Sequence, residues 1–273
     1  MSYRVLVPVD RDESRALAQA HYVTRLPVAT EAIEATVMYV IPPREFKEAG
    51  DVAFEDVPAA VGAATHIEEA GVSVERIVED GSPSEAIVRA IDDIGADETV
   101  MGGRRRSGVA RVLLGSTVHD VAVSTETPVT LTGEGGSFSG GDRRLVVPVD
   151  RDTDRSLHQA RYVAALPGPP EEIRATVLHV FPHQDYRGAP PREFDDVGAA
   201  VAVADFLEDE GVAVERRAVG GEVARTILKT ASSVDADGIV TAGRNRSGVQ
   251  EVLLGSTVQD VMVSAERPVT LTG

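Results

Sequence analysis

Residues 1–133 and 141–273 are two copies of one sequence, related without a gap by an offset of 140 and identical at 65 of 133 positions. This duplication constrains the chain more than any single motif. A repeat this long is a domain, because solenoid repeats have periods of only about 20–50 residues. Each copy also has the usual domain size of about 100–150 residues and can bury a core of its own. The chain divides into a first domain at 1–133, a connector at 134–142 (EGGSFSGGD) and a second domain at 143–273. The connector has the Gly/Ser composition of a flexible linker. Whatever fold one copy takes, the other must take as well.

The pattern within each copy predicts that fold. Val5–Val9 (Leu145–Val149 in the second copy) is a short apolar run suited to a strand buried on both faces. Pro8 and Pro148 are expected near its carboxyl end, where pairing finishes. Ser14–Leu26 places Ala16, Leu17, Ala20 and Val23 on one helical face. Ala35–Ile41 and Ala175–Phe181 read as second strands. A helix over about 54–70 should end at Gly71, followed by a strand over 72–78 and a helix over 82–94 opened by Ser82-Pro83. A fourth strand at Glu98–Met101, a helix at Ser116–Ser124 and a last strand at Pro128–Leu131 complete the unit. Alternating strands and helices indicate an α/β fold: two tandem doubly wound, Rossmann-like domains, each with a five-stranded parallel sheet. The last strands, Pro128–Leu131 and Pro268–Leu271, are apolar edges that would aggregate if exposed. They are therefore expected to pair with each other, making the chain an intramolecular pseudo-dimer. Whether two chains associate further into a homodimer is left open.

The charge balance is unusual in kind as well as size. Net charge is −17, and of 27 basic residues only Lys47 and Lys229 are lysines. Such a charge self-repels in dilute buffer, whereas at 1 M salt the Debye length is only about 3 Å and the repulsion fades. Acidic excess with almost no lysine looks like adaptation to the cytoplasm of a halophile, an archaeon by expectation. The alternative is an ordinary acidic protein from an arginine-rich, high-GC genome. An acidic surface also argues against non-specific nucleic-acid binding. There is no cysteine, no apolar run of 18 residues or more and no secretory signal pattern at Met1-Ser2-Tyr3, so a cytoplasmic protein without a membrane span is expected.

Residues with chemical potential cluster where such sheets bind ligands, at the carboxyl ends of strands where strand order reverses. If the first and fourth strands are neighbours, that crevice lies between Asp10 and the loop starting at Gly102. The loop reads Gly102-Gly103-Arg104-Arg105-Arg106-Ser107-Gly108 through Gly115-Ser116-Thr117, and in the second copy Ala242-Gly243-Arg244-Asn245-Arg246-Ser247-Gly248 through Gly255-Ser256-Thr257. Glycines let backbone amides approach a phosphate, and a following helix N-terminus adds its dipole and unpaired N–H groups. Ser116 and Ser256 are equally suited to capping that helix with no ligand at all.

The whole arrangement resembles the universal stress protein family. Asp10 and Asp150 in VPVD match that family's strand-end Asp, and Gly102 with Gly115-Ser116 matches its Gly-x2-Gly-x9-Gly-Ser/Thr loop. Arg106, Ser107 and Gly108 are also residues commonly seen there, and Pro128-Val129-Thr130 resembles its last strand. The resemblance spans nearly all of both copies, and tandem members are a familiar form. It implies binding of an adenine nucleotide, ATP first, in a regulatory or stress-response role, with at most slow ATP hydrolysis; whether magnesium accompanies the nucleotide stays open. Asp10 and Asp150 would meet the adenine or ribose, backbone near Val40 and Val180 the base, and Gly102, Arg105, Arg106, Gly108, Gly115, Ser116 and Thr117 the phosphates. In the second copy Gly243, Asn245, Gly248, Gly255, Ser256 and Thr257 would do the same.

Departures from the family pattern set a rival reading. The second loop glycine is Arg105 in one copy and Asn245 in the other, and the first becomes Ala242 in the second copy. Arg105 either obstructs the phosphates or binds them itself, since guanidinium forks suit phosphate oxygens. These changes make the first copy the better candidate site. They also keep alive an interaction or scaffold member of the family that binds no nucleotide. Phe46 and Tyr186 align in the segment after the second strand, where they would shield a base or pack locally. None of the six histidines aligns with another across the copies, Phe181-Pro182 interrupts the helix that would make His179 and His183 a metal pair, and neither a GxxxxGK[ST] loop nor a strand–turn–helix GxSxG is present.

Overall fold

The computed structural model describes residues 2–26, 32–105, 112–113, 115–133, 142–182, 192–246 and 249–273. The first copy runs β1 (Tyr3–Val9), α1 (Glu13–Val23), β2 (Ile33–Ile41), α2 (Pro58–Glu69), β3 (Ser73–Asp80), α3 (Pro83–Ile94), β4 (Glu98–Gly102), a short hairpin of β5 (Arg104–Arg105) and β6 (Val112–Leu113), α4 (Ser116–Ser124) and β7 (Val129–Thr132). The second copy repeats it as β8 (Arg143–Val149), α5 (Thr153–Ala165), β9 (Ile173–Phe181), α6 (Gly198–Asp209), β10 (Ala213–Gly220), α7 (Val223–Ser233), β11 (Gly238–Ala242), the hairpin β12 (Arg244–Arg246) and β13 (Val249–Leu253), α8 (Ser256–Ser264) and β14 (Val269–Thr272).

Ten of the described strands form one sheet in the order β10-β9-β8-β11-β14-β7-β4-β1-β2-β3. Each half is a parallel five-stranded sheet, and the halves join where β7 and β14 pair antiparallel, Thr130 opposite Thr270. The last strands therefore pair as their exposed-edge character predicts. The outer strands β3 and β10 carry Glu75, Arg76, Glu79, Glu215, Arg216 and Arg217, charges that discourage further strand addition.

Two apolar layers cover the faces. Val5, Val7, Val37, Ile41 and their counterparts pack under α1, α2, α5 and α6, while Leu6, Met38, Leu131 and theirs pack under α3, α4, α7 and α8. The helix ends follow their local chemistry. Asp12 and Asp152 accept the N–H of Arg15 and Arg155 as N-caps of α1 and α5, a contribution of about 1 kcal/mol each. Gly71 and Gly95 take positive φ just past α2 and α3. Among the described residues no helix is long and apolar enough to cross a membrane.

The parting of β1 from β4 makes the site. Their ladder consists of Val5↔Glu98 and Leu6↔Thr99, whereas β1 stays paired to β2 as far as Val9. Pro8, with no N–H to donate, lies beyond the end of the β1–β4 ladder, as expected of it. The gap is closed by a buried amide: Gln19 Nε2 donates to the carbonyls of Pro8 (2.8 Å) and Val100 (2.7 Å). Gln159 repeats this between Pro148 (2.9 Å) and Val240 (2.6 Å).

Candidate functional site

Above each glutamine wedge, the strand-end acid is held by its neighbours. Asp10 Oδ1 accepts the N–H of Asp12 at 2.9 Å, and Oδ2 pairs with Arg15 Nη2 at 2.5 Å. Asp150 repeats both contacts, with Asp152 and Arg155. Capping of the following helix thus belongs to Asp12 and Asp152, while Asp10 and Asp150 are oriented at the crevice with half their side-chain surface open.

In the second copy this crevice is a hollow of about 660 Å³. Its lining includes the apolar Leu178, Val180, Val223, Ile227, Val258 and Val261 and the charged Asp150, Arg151, Arg155 and Arg192. Gly255, Ser256 and Thr257 also line it, at the start of α8. The N-cap residue of that helix is Gly255, which has no side chain to cap the first-turn N–H groups and their partial positive charge. His179, the counterpart of Tyr39, is buried in the wall, with Nδ1 2.9 Å from the carbonyl of Val149. That carbonyl accepts, so Nδ1 carries the proton, and burial pulls the imidazole's pKa down, against the pull of that bond.

The glycine loop differs from an open phosphate loop. Gly103 and Gly243 are buried, and their N–H groups donate to the carbonyls of Thr132 and Thr272 (2.9 Å each). The N–H of Gly243 is thus already bonded within the chain. Arg105 and Asn245 lie on hairpin strands, opposite Val112 and Val252, and not in an irregular loop. A Cβ on Gly102 would sit 3.0 Å from both Arg15 Cβ and Gln19 Oε1, so its smallness serves close packing of β4 on α1. Ala242 nevertheless lines the second hollow without closing it. Gly115 has open space where a Cβ would be. Arg106, Gly108 and Gly248 lie outside the described residues.

In the first copy, Val40 is buried on β2 and the following segment folds as short 3-10 turns at Pro43–Glu45 and Ala49–Asp51. Arg11 reaches Glu45 at 2.9 Å, and Asp80 accepts the N–H of Ala49 at 2.7 Å, anchoring the segment from both sides. Phe46 does not pack locally, being 94% exposed. Tyr186 lies outside the described residues. Sequence reasoning weighed His179 only as half of a metal pair, and missed Arg155 and the two glutamines. An α-helical Gln at the same place in both copies was the available signal for the wedges.

Comparison with known proteins decides the family. The universal stress protein family profile matches twice, over residues 1–133 and 142–273. The chain belongs to the universal stress protein family. A universal stress protein from Archaeoglobus fulgidus DSM 4304 has the same fold at 22% identity, with 100% of this chain and 98% of that chain aligned and a TM-score of 0.70. A putative universal stress protein from Pseudomonas aeruginosa UCBPP-PA14 aligns over 99% of this chain and 93% of that one, at 16% identity and a TM-score of 0.63. A functionally unknown protein from Pseudomonas aeruginosa PAO1 aligns over 99% and 92%, at 15% identity and 0.64. No curated protein matches the chain significantly.

Proposed function

We propose that this universal stress protein binds an adenine nucleotide, ATP being the expected one, at the strand-order switch point, and that binding serves a regulatory or stress-response role. The observation that carries the reading is the second copy's hollow, which joins a strand-end acid to an uncapped helix N-terminus. Its volume falls within the roughly 300–1,000 Å³ of small-molecule sites, and its walls are apolar with a few convergent polar groups. The residues fit the ligand's parts. The apolar wall around Leu178 and Val180 suits a base, the second lone pairs of Asp150 suit ribose hydroxyls, and the N–H groups of α8 with the Ser256 and Thr257 hydroxyls suit phosphate. The opening beside Gly115 offers the first copy the same approach to phosphate.

The sequence ranks the first copy above the second, because Ala242 and Asn245 depart further from the motif. The hollow in the second copy makes that copy a full candidate. Nucleotide released from denatured protein, identified by chromatography, tests the reading. Titrations of Gly115→Asp and Gly255→Asp, each placing a carboxylate against the phosphates, then tell the copies apart. Protein that carries no nucleotide and binds no added ATP would favour the scaffold reading, for which Ala242, Arg105 and Asn245 speak.

A further inference from the structure

Where the two copies meet, the interface combines a symmetric centre with an asymmetric surround. Thr130 and Thr270 hydroxyls lie 2.7 Å apart, and those of Tyr22 and Tyr162 lie 3.3 Å apart. Both pairs join residues 140 apart and mark the pseudo-twofold axis. Glu98, fully buried, collects the hydroxyls around that axis. Its Oε1 accepts from Tyr22 (2.8 Å), Tyr162 (3.1 Å) and Thr130, and its Oε2 from Tyr3 (2.9 Å). Arg143, also buried, donates to Tyr22 Oη at 2.9 Å and stacks over the same ring, 5.2 Å from its centroid. Burial, then the Glu98 charge, raises the pKa of all three tyrosines, Tyr22 to about 12, so each stays a protonated donor.

The symmetry fails at three positions. Glu98 corresponds to Gly238, Tyr3 to Arg143 and Val5 to Leu145. The third change fits the first: a Cβ at Gly238 would lie 3.3 Å from Leu145 Cδ2, so the larger Leu145 occupies space that a side chain at 238 would need. In the first copy the smaller Val5 stands opposite Glu98.

We infer that these positions make the two copies a heterospecific pair, each presenting a face that accepts the other copy and rejects its own kind. Two first copies would bring two carboxylates to one pair of tyrosine hydroxyls, with no guanidinium to separate them. Two second copies would bury two guanidiniums around an axis with no carboxylate and a glycine in place of Glu98. The unlike pair has one acid, one base and enough hydroxyl donors for the acid. Partner choice of this kind uses repulsion as well as attraction.

Three variants of the full chain test this, unfolded by urea in molar potassium chloride. Arg143→Tyr with Leu145→Val and Gly238→Glu gives both halves the first copy's face. Tyr3→Arg with Val5→Leu and Glu98→Gly gives both halves the second copy's. Each is expected to shift the unfolding midpoint to lower urea and to split one transition into two as the halves part. The chain carrying all six substitutions exchanges the faces, and is expected to regain a single transition near the parent midpoint. Triple variants that keep the parent midpoint would overturn the inference. So would an exchanged chain as unstable as either triple variant, and this arm decides even if the triple variants fail to fold.

Discussion

Replacing Gln159 by Met removes the amide that spans the parting of β8 and β11 while keeping the length of the side chain. Two hydrogen bonds are lost, to the carbonyls of Pro148 (2.9 Å) and Val240 (2.6 Å). Both carbonyls lie where the ladder has ended after Val146↔Ile239, so no strand neighbour replaces the donor. A buried group left without a partner costs about 1–3 kcal/mol. Because Gln159 lines the hollow, water can reach part of the gap, which places the pair near 3 kcal/mol and not at the sum of the upper limits. With a urea slope of about 3 kcal/mol per molar, the midpoint should fall by roughly 1 M. Gln159→Glu should be at least as damaging at neutral pH, since a carboxylate cannot donate to two carbonyls. Urea titrations followed by circular dichroism in molar potassium chloride measure this. A Met variant whose midpoint stays within about 0.2 M of the parent would refute the wedge as the element that holds the strands at the crevice.

Three further outcomes follow from the same reasoning. His179 has a pKa below its ordinary value, so the unfolded chain binds the proton more readily, and stability is lost as pH falls below the usual histidine range. His179→Tyr, which installs the first copy's residue, should therefore lose less melting temperature than the parent between pH 7 and pH 5; equal losses would contradict the shift. Arg105→Ala should weaken ATP binding about tenfold or more if the guanidinium binds phosphate, since a charged hydrogen bond contributes about 1.5–3 kcal/mol, whereas Arg105→Gly should strengthen it if the side chain obstructs; calorimetry with both variants unchanged would remove Arg105 from the site. The net charge of −17 predicts a melting midpoint that falls steeply as potassium chloride drops from 1 M to 0.01 M and the Debye length grows from about 3 Å to about 30 Å, and a flat midpoint would refute the halophilic reading.

Much of the fold was legible because its signals are local and repeated. Apolar runs such as Val5–Val9 suit strands covered on both faces, whereas the order 3-2-1-4 was only a condition in the sequence reading and comes from the ladders. The pairing of β7 with β14 was legible from the edge problem that an apolar last strand creates. The heterotypic network was not legible, because Tyr3, Glu98 and Arg143 are far apart in sequence and meet only once β1 pairs with β4 and β7 with β14. The pairing of β5 with β6 and of β12 with β13 was hidden by residues such as Arg and Asn, whose strand preference is set by context more than by pattern. Within the site, Asp150, Val180 and Gly255–Thr257 were named from the sequence and line one hollow. Gly243 was named as well, but a glycine in a motif does not reveal whether its N–H is already bonded, here to Thr272.

The central claim is most directly tested by isothermal titration of the nucleotide-free chain with ATP in molar potassium chloride. Saturable binding, lost when Gly115→Asp and Gly255→Asp are combined and retained by a combination of surface substitutions away from both crevices, is the predicted result. Absence of saturable heat with ATP, ADP and AMP alike, in protein whose unfolding is cooperative, would contradict it.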